Sequence, residues 1–325
     1  MKFSKSQKQL NLNEDSATLD GIDWPPSDLV DRTFENLQGN ASHDKISGFH
    51  IVKNSMDLPL AYPGQFARVY KVQNNKEFFA LRFFTKKREG AMLRYKILHD
   101  YFEENFQENN KPGFLINFEY LTNAININIK KKQTRFPLIK MDWVDGDTLE
   151  NFMKTCKDKN EIKIIKDKFK KVNDEMELYG IAHGDLHPKN IIINKTNEIK
   201  LVDYDCMYIR DFMGESMPEF GDPDCQHPNR AAFKYDDNID RFSALVIYLA
   251  LMVLEEDPTF FNIIDRDFIF SREDYENPYG SDTFKKLKMF SSDVKYILEI
   301  LISYCVEEIP KPETLSSILK KGQRL

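Results

Sequence analysis

Residues 183–205 read H-G-D-L-H-P-K-N-I-I-I-N-K-T-N-E-I-K-L-V-D-Y-D and carry the side chains best suited to chemistry. Asp185, Asn190 and Asp203 supply side-chain oxygens, and His187 adds an imidazole. A hard cation such as Mg2+ binds through one or two carboxylates and completes its shell with phosphate oxygens. Three such oxygen donors meeting at one point would suit a phosphate–metal site.

What lies between those residues decides whether they meet. Residues 191–193 are a run of isoleucines, 194–198 carry polar turn chemistry, and 199–202 form a second apolar run. That pattern predicts two short strands joined by a tight turn. Asp185 and Asn190 then fall just before the first strand and Asp203 just after its partner.

The flanking elements are legible from period and punctuation. Residues 161–179 place Ile162, Ile165, Phe169, Val172 and Met176 at helical spacing, and Gly180 follows as a C-terminal stop. Residues 206–230 are rich in Gly, Pro, Asp and Met and show no sustained period, which predicts a long loop. The apolar run at 244–254 predicts a buried helix and is too short to span a bilayer. Further helical patterns lie near 283–289, 292–306 and 313–321. Upstream, 46–52, 60–72 and 77–84 read as strands, with a turn inside the second. Residues 114–144 read as strands with a turn at Thr122-Asn123 and a solvated basic loop at 130–135. Residues 1–45 read as an N-terminal arm, the first 20 or so polar and expected to be disordered, with Trp24-Pro25-Pro26 as an extended entry and Trp24 as its anchor.

Composition excludes several classes. The 325 residues are 41% hydrophobic and 30% charged, ordinary for a globular protein. A net charge of -6 predicts neither nucleic-acid nor anionic-membrane binding. The cysteines at 156, 206, 225 and 305 are scattered, with no C-x-x-C pair, so reduced thiols of a cytoplasmic protein are expected. The N-terminus lacks the apolar stretch of a signal peptide.

The 183–205 stretch resembles the catalytic core of protein kinases, written H-R-D-x-x-x-x-N and then D-F-G, in a bacterial dialect with D-Y-D. The resemblance covers roughly residues 60–310. It implies an α+β, bilobal protein-kinase-like fold, with a small β-rich N-lobe over 46–144 and a larger helical C-lobe over 145–325. Under it, Asp185 is the catalytic residue, with His187 near the γ-phosphate, and Asn190 and Asp203 hold Mg2+ or Mn2+ against ATP. Gly64 stands for a glycine-rich loop that is otherwise lost. Val69, Ala80, Met141 and Ile192 flank the adenine, and the backbones of Asp142 and Val144 bond the base. Asp240 would brace the catalytic loop through backbone N–H groups.

Three departures accompany the match. Arg82 replaces the phosphate-anchoring lysine, Arg94 replaces the glutamate that would pair with it, and Gly184 replaces the arginine before the catalytic aspartate. Arg82 can serve phosphates, since guanidinium is a strong phosphate partner of different reach; an ordinary surface arginine is the alternative. Gly184 argues against control by a phosphorylated segment docking there.

The nearest relatives by motif are bacterial kinase-like proteins with D-Y-D, Q-H-P and D-R-F-S-A. They imply a PP2C-type phosphatase and a von Willebrand A protein as partners. The leading function is serine/threonine protein kinase-like transfer to a protein substrate. A small-molecule phosphotransferase and a pseudokinase acting as a nucleotide-binding or scaffolding module are the alternatives.

Overall fold

Alternation in the N-terminal half and helical periodicity in the C-terminal half divide the chain into two units. The computed structural model describes residues 24–64, 66–86, 90–106, 110–264 and 266–322. The first unit comprises residues up to His99 together with Asn117–Trp143, and the second comprises Asp100–Ile116 with Val144–Leu325.

The first unit is a twisted antiparallel sheet. Its elements are α1 (Ser27–Glu35), α2 (Leu37–Asn40), β1 (His50–Ile51), β2 (Ala61–Pro63), β3 (Ala67–Asn74), β4 (Glu77–Phe84), the start of α3 (Ala91–Asn105), β5 (Phe118–Ile129) and β6 (Lys132–Asp142). The strand order is β1-β3-β4-β6-β5, with β2 paired to β3. One sheet face contributes Tyr70, Val72, Leu81, Phe83 and Leu138 to an apolar core.

Helix α1 completes that core. Val30 and Phe34 of α1 and Leu37 of α2 are buried in it, and Phe34 stacks on Tyr70 with ring centroids 3.8 Å apart. The Tyr70 hydroxyl donates to Asp31 of α1, which also pairs with Arg68. Burial and the Asp31 carboxylate together push the Tyr70 hydroxyl well above its ordinary value. The expected arm is thus, from residue 24 onward, part of the first unit; the helical spacing of Val30, Phe34 and Leu37 is the signal. Trp24 is the anchor its sequence context predicts, donating from Nε1 to Phe84 O at 2.6 Å. The first 20 residues lie outside the described ones.

Two local readings change. Thr122-Asn123 is a register shift inside the long β5 strand, with Asn123 at φ 49°, and not a turn between strands. The turn is Lys130-Lys131, both at positive φ, and the rest of the expected basic loop is strand β6. The strand expected over 46–52 contracts to β1.

The second unit is mostly helical, with one small sheet. A strand β7 (Gly146–Thr148) leads into α4 (Leu149–Thr155) and α5 (Lys159–Tyr179). Asp158 caps α5 by accepting from Asn160 N and Glu161 N, the five predicted apolar residues are buried, and Gly180 ends it at φ 63°. Strands β8 (Ile191–Asn194) and β9 (Ile199–Leu201) pair as the sequence predicts, and β7 joins the outer side of β8. Beyond the loop come α6 (Arg241–Glu256), buried over most of its length, and then α7 (Arg272–Glu276), α8 (Asp282–Leu287), α9 (Ser292–Val306) and α10 (Leu315–Gly322). A curled β-sheet region and a helical region make the α+β, two-lobed kinase-like class that the sequence predicts. Among the described residues no helix is long and apolar enough to cross a membrane.

Candidate active site

The site is built from the residues around β8 and β9. Val202 N donates to Asn190 O at 2.9 Å, which ties the end of the second strand to the start of the first. Asn190 Nδ2 donates to Asp185 O at 3.0 Å and reaches Asp185 Oδ2 at 3.3 Å. The hairpin therefore brings Asp185 and Asn190 together, and Asp203 follows directly at φ 65°, a left-handed conformation that aspartate tolerates better than most. Tyr204 behind it is fully buried, and its hydroxyl accepts from Ile116 N at 2.9 Å.

The loop before β8 is held from below. Asp240, at the N-cap of α6, accepts from His183 N and from Gly184 N, the latter at 3.0 Å, as the sequence predicts. His183 Nε2 meets Val202 O at 2.7 Å, so its imidazole joins the loop to the strand that leads to Asp203. Burial pushes the Asp240 carboxyl upward, and Arg230, His183 and the two backbone N–H groups push it back.

Other contacts come from the 206–230 loop. Asp222 N donates to Asp185 Oδ1 at 2.9 Å, and the Asp222 carboxylate lies 3.2 Å from His187 Nε2. His187 Nδ1 accepts from Lys189 N at 3.2 Å, so both ring nitrogens are engaged. Burial holds this imidazole below its ordinary value, against the pull of Asp222 and Asp185. The expected approach of His187 to a γ-phosphate would require it to leave Asp222. Neither Asp222 nor Arg230 was marked by sequence, because a charged residue in a Gly- and Pro-rich loop reads as solvated until its partner is known.

In the first unit, Val69, Ala80, Arg82 and Met141 share the sheet face opposite the α1 core. Val69, Arg82 and Ile139 lie abreast on β3, β4 and β6, and Lys71, Ala80 and Met141 form the next row. Ala80 and Met141 are almost fully buried. Arg82 is only 7% exposed, with its guanidinium 5.8 Å from the Phe84 ring and 5.7 Å from the Tyr95 ring, which removes the surface-arginine reading. Gly64 lies in the β2–β3 turn, where its N–H donates to Ala67 O at 2.8 Å. Asp142 spends its N–H on Asn117 O at 3.0 Å, so only its carbonyl is left for a base. Val144 and Ile192 are half-buried members of the second unit.

The donor chemistry fits a hard divalent cation. With Nδ2 of Asn190 committed to Asp185, its amide oxygen and the carboxylate of Asp203 are the oxygen donors the motif offers a metal. Among the described residues no cluster of three or more His, Cys, Asp or Glu side chains is placed to hold a metal alone.

Comparison with known proteins follows the same residues. Residues 107–212 match the model of the ABC1 atypical kinase-like domain, about a third of the chain. The chain is similar to protein kinases. A 71-residue stretch is 37% identical to the serine/threonine-protein kinase PknB of Mycolicibacterium smegmatis. That stretch covers 21% of this chain and 11% of the length of that kinase.

Proposed function

We propose that this chain transfers the γ-phosphoryl group of ATP, in the presence of Mg2+ or Mn2+, to a hydroxyl on a protein. The observation that carries this reading is the loop in which Asp185 is hydrogen-bonded to Asn190, and Asn190 through Val202 to the strand that delivers Asp203. In the reaction Asp185 accepts the proton of the incoming hydroxyl on its carboxylate, which Asp222 N and Asn190 Nδ2 orient. Asn190 and Asp203 hold the divalent ion, which when bound neutralises phosphate charge. The remaining work is positioning, as phosphoryl transfer requires.

In the first unit the sheet face that carries Val69, Ala80 and Met141 takes the adenine, and the Asp142 carbonyl bonds its edge. Arg82 meets the phosphates, and Gly64 leaves room for the turn to approach them. A second reading, a nucleotide-binding module without transfer, draws on one feature. Arg82 is lodged against two rings, and the residue at position 94 is an arginine where a lysine–glutamate pair would need an acid.

The test is incubation of the full chain with ATP labelled at the γ-phosphate, with Mg2+ and a protein extract, and again with EDTA. Metal-dependent label in protein bands is the expected result. Label in a small molecule overturns the protein acceptor, and label left on ATP with nucleotide still bound favours the second reading.

A further inference from the structure

Gly184 precedes the proposed catalytic aspartate, and its position admits no side chain. Its φ is +78°, and an added Cβ would lie 1.9 Å from Cys206 O. No cationic side chain can therefore stand at position 184, directly before Asp185. A cation is there nonetheless, supplied by another part of the chain. Arg230, 46 residues further on, donates from Nη2 to Gly184 O at 2.6 Å. Its Nη1 donates to Ile239 O, and the residue is 3% exposed.

The peptide units on either side of Gly184 are thus both gripped. The Gly184 N–H is accepted by Asp240 at 3.0 Å, and the carbonyl that leads into Asp185 is held by Arg230. Glycine at positive φ has wide rotational freedom, so these two bonds fix the peptide that enters Asp185, while Asn190 and Asp222 hold Asp185 beyond it. A neutral donor would satisfy the carbonyl without the cost of burying a full charge. The charge has two anions to answer: Asp240 and Asp185 both act on Arg230 electrostatically.

We infer that Arg230 is a positioning residue for Asp185: it fixes the Gly184–Asp185 peptide and so makes the catalytic loop depend on how the end of the 206–230 segment is seated. The inference rests on the phosphotransfer reading for its functional consequence, but the clamp itself is open to measurement without it.

The test compares the wild-type full chain with Arg230→Met and Arg230→Lys. Two quantities are read: the transfer rate with its dependence on ATP, and backbone hydrogen exchange of residues 183–190 against α9 as an internal reference. Arg230→Met should lower kcat on the order of a hundredfold, the usual cost of an ångström-scale misplacement, and leave KM for ATP within about twofold. Exchange in 183–190 should rise while α9 stays as in wild type, and Arg230→Lys should recover part of both. Unchanged exchange of 183–190 in a folded Arg230→Met overturns the inference, as does an unchanged kcat. If the wild type transfers nothing yet Arg230→Met still loosens 183–190, the phosphotransfer reading fails and the clamp stands. If 183–190 and α9 loosen together, Arg230 is a general stabiliser and the inference falls.

Discussion

The two units hold their expected functional residues by different means. In the second unit Asp185, Asn190 and Asp203 are tied by bonds whose geometry demands specific residue types: an amide at 190, a buried carboxylate at 240, and a glycine at 184. In the first unit Val69, Ala80, Arg82 and Met141 share a face because a strand alternates its side chains, which any adequate apolar residue satisfies. A bond-directed site therefore constrains residue type more tightly than an alternation-directed face. The departures from the kinase pattern fall in both: a lone glycine in the β2–β3 turn and arginine on β4 at 82 in the first unit, and Gly184 in the second, where the bonded loop itself requires glycine.

The largest expected effect sharpens the first unit's boundary. Phe34→Ala should cost about 3 to 5 kcal/mol, because it empties a fully buried ring position stacked on Tyr70. Chemical denaturation checks it, and a loss under about 1 kcal/mol would return α1 to the status of a loosely attached arm.

Next comes the brace of the second unit. Asp240→Ala strands two buried backbone donors and removes one of the two anions that act on buried Arg230, so a loss of about 3 kcal/mol is expected. A melting temperature equal to that of wild type would show that the loop is held by something other than Asp240.

Arg82→Ala probes the sheet face of the first unit. If the guanidinium meets phosphates, calorimetry with Mg2+ and ATP should register a weakening of about 1.5 to 3 kcal/mol, with Arg82→Lys in between. Binding equal to wild type would remove Arg82 from the phosphate site.

The smallest effect is one of pH. His227 is buried, with Nε2 on Tyr304 O at 3.1 Å and Nδ1 accepting from Asn229 N at 3.1 Å. Burial holds it below the ordinary histidine value of 6.5. The unfolded chain thus takes up a proton before the folded one does, and the unfolded state gains as pH falls. This contribution is fully present above pH 6.5 and is lost as pH drops through the folded value. The melting temperature should decline between pH 7.5 and 5.5, and the slope should flatten in His227→Asn. An identical slope would assign the acid sensitivity to other groups, His187 among them.

Much of this was readable in the residues, and the exceptions share a cause. The β8–β9 hairpin, α5 with its Gly180 stop and the brace from Asp240 follow from period, punctuation and one motif. Helix α1 was missed because proline at 25 and 26 and a polar leader hide four apolar positions. The bulge at Asn123 looked like a turn because local sequence cannot report that the strand resumes its pairing at Ile125. Asp222 and Arg230 were invisible for a different reason. Each acts on a backbone atom or a ring 35 or more residues away, and no local pattern encodes a partner at that range.

The most direct test of the account is Asp185→Asn, compared with wild type in metal-dependent phosphate transfer and in ATP binding. Amide for carboxylate keeps the shape and an acceptor for Asp222 N, so fold and nucleotide affinity should persist while transfer falls by about two to four orders of magnitude, the usual share of a proton-accepting group. Transfer at the wild-type rate in a folded, ATP-binding Asp185→Asn would contradict the account.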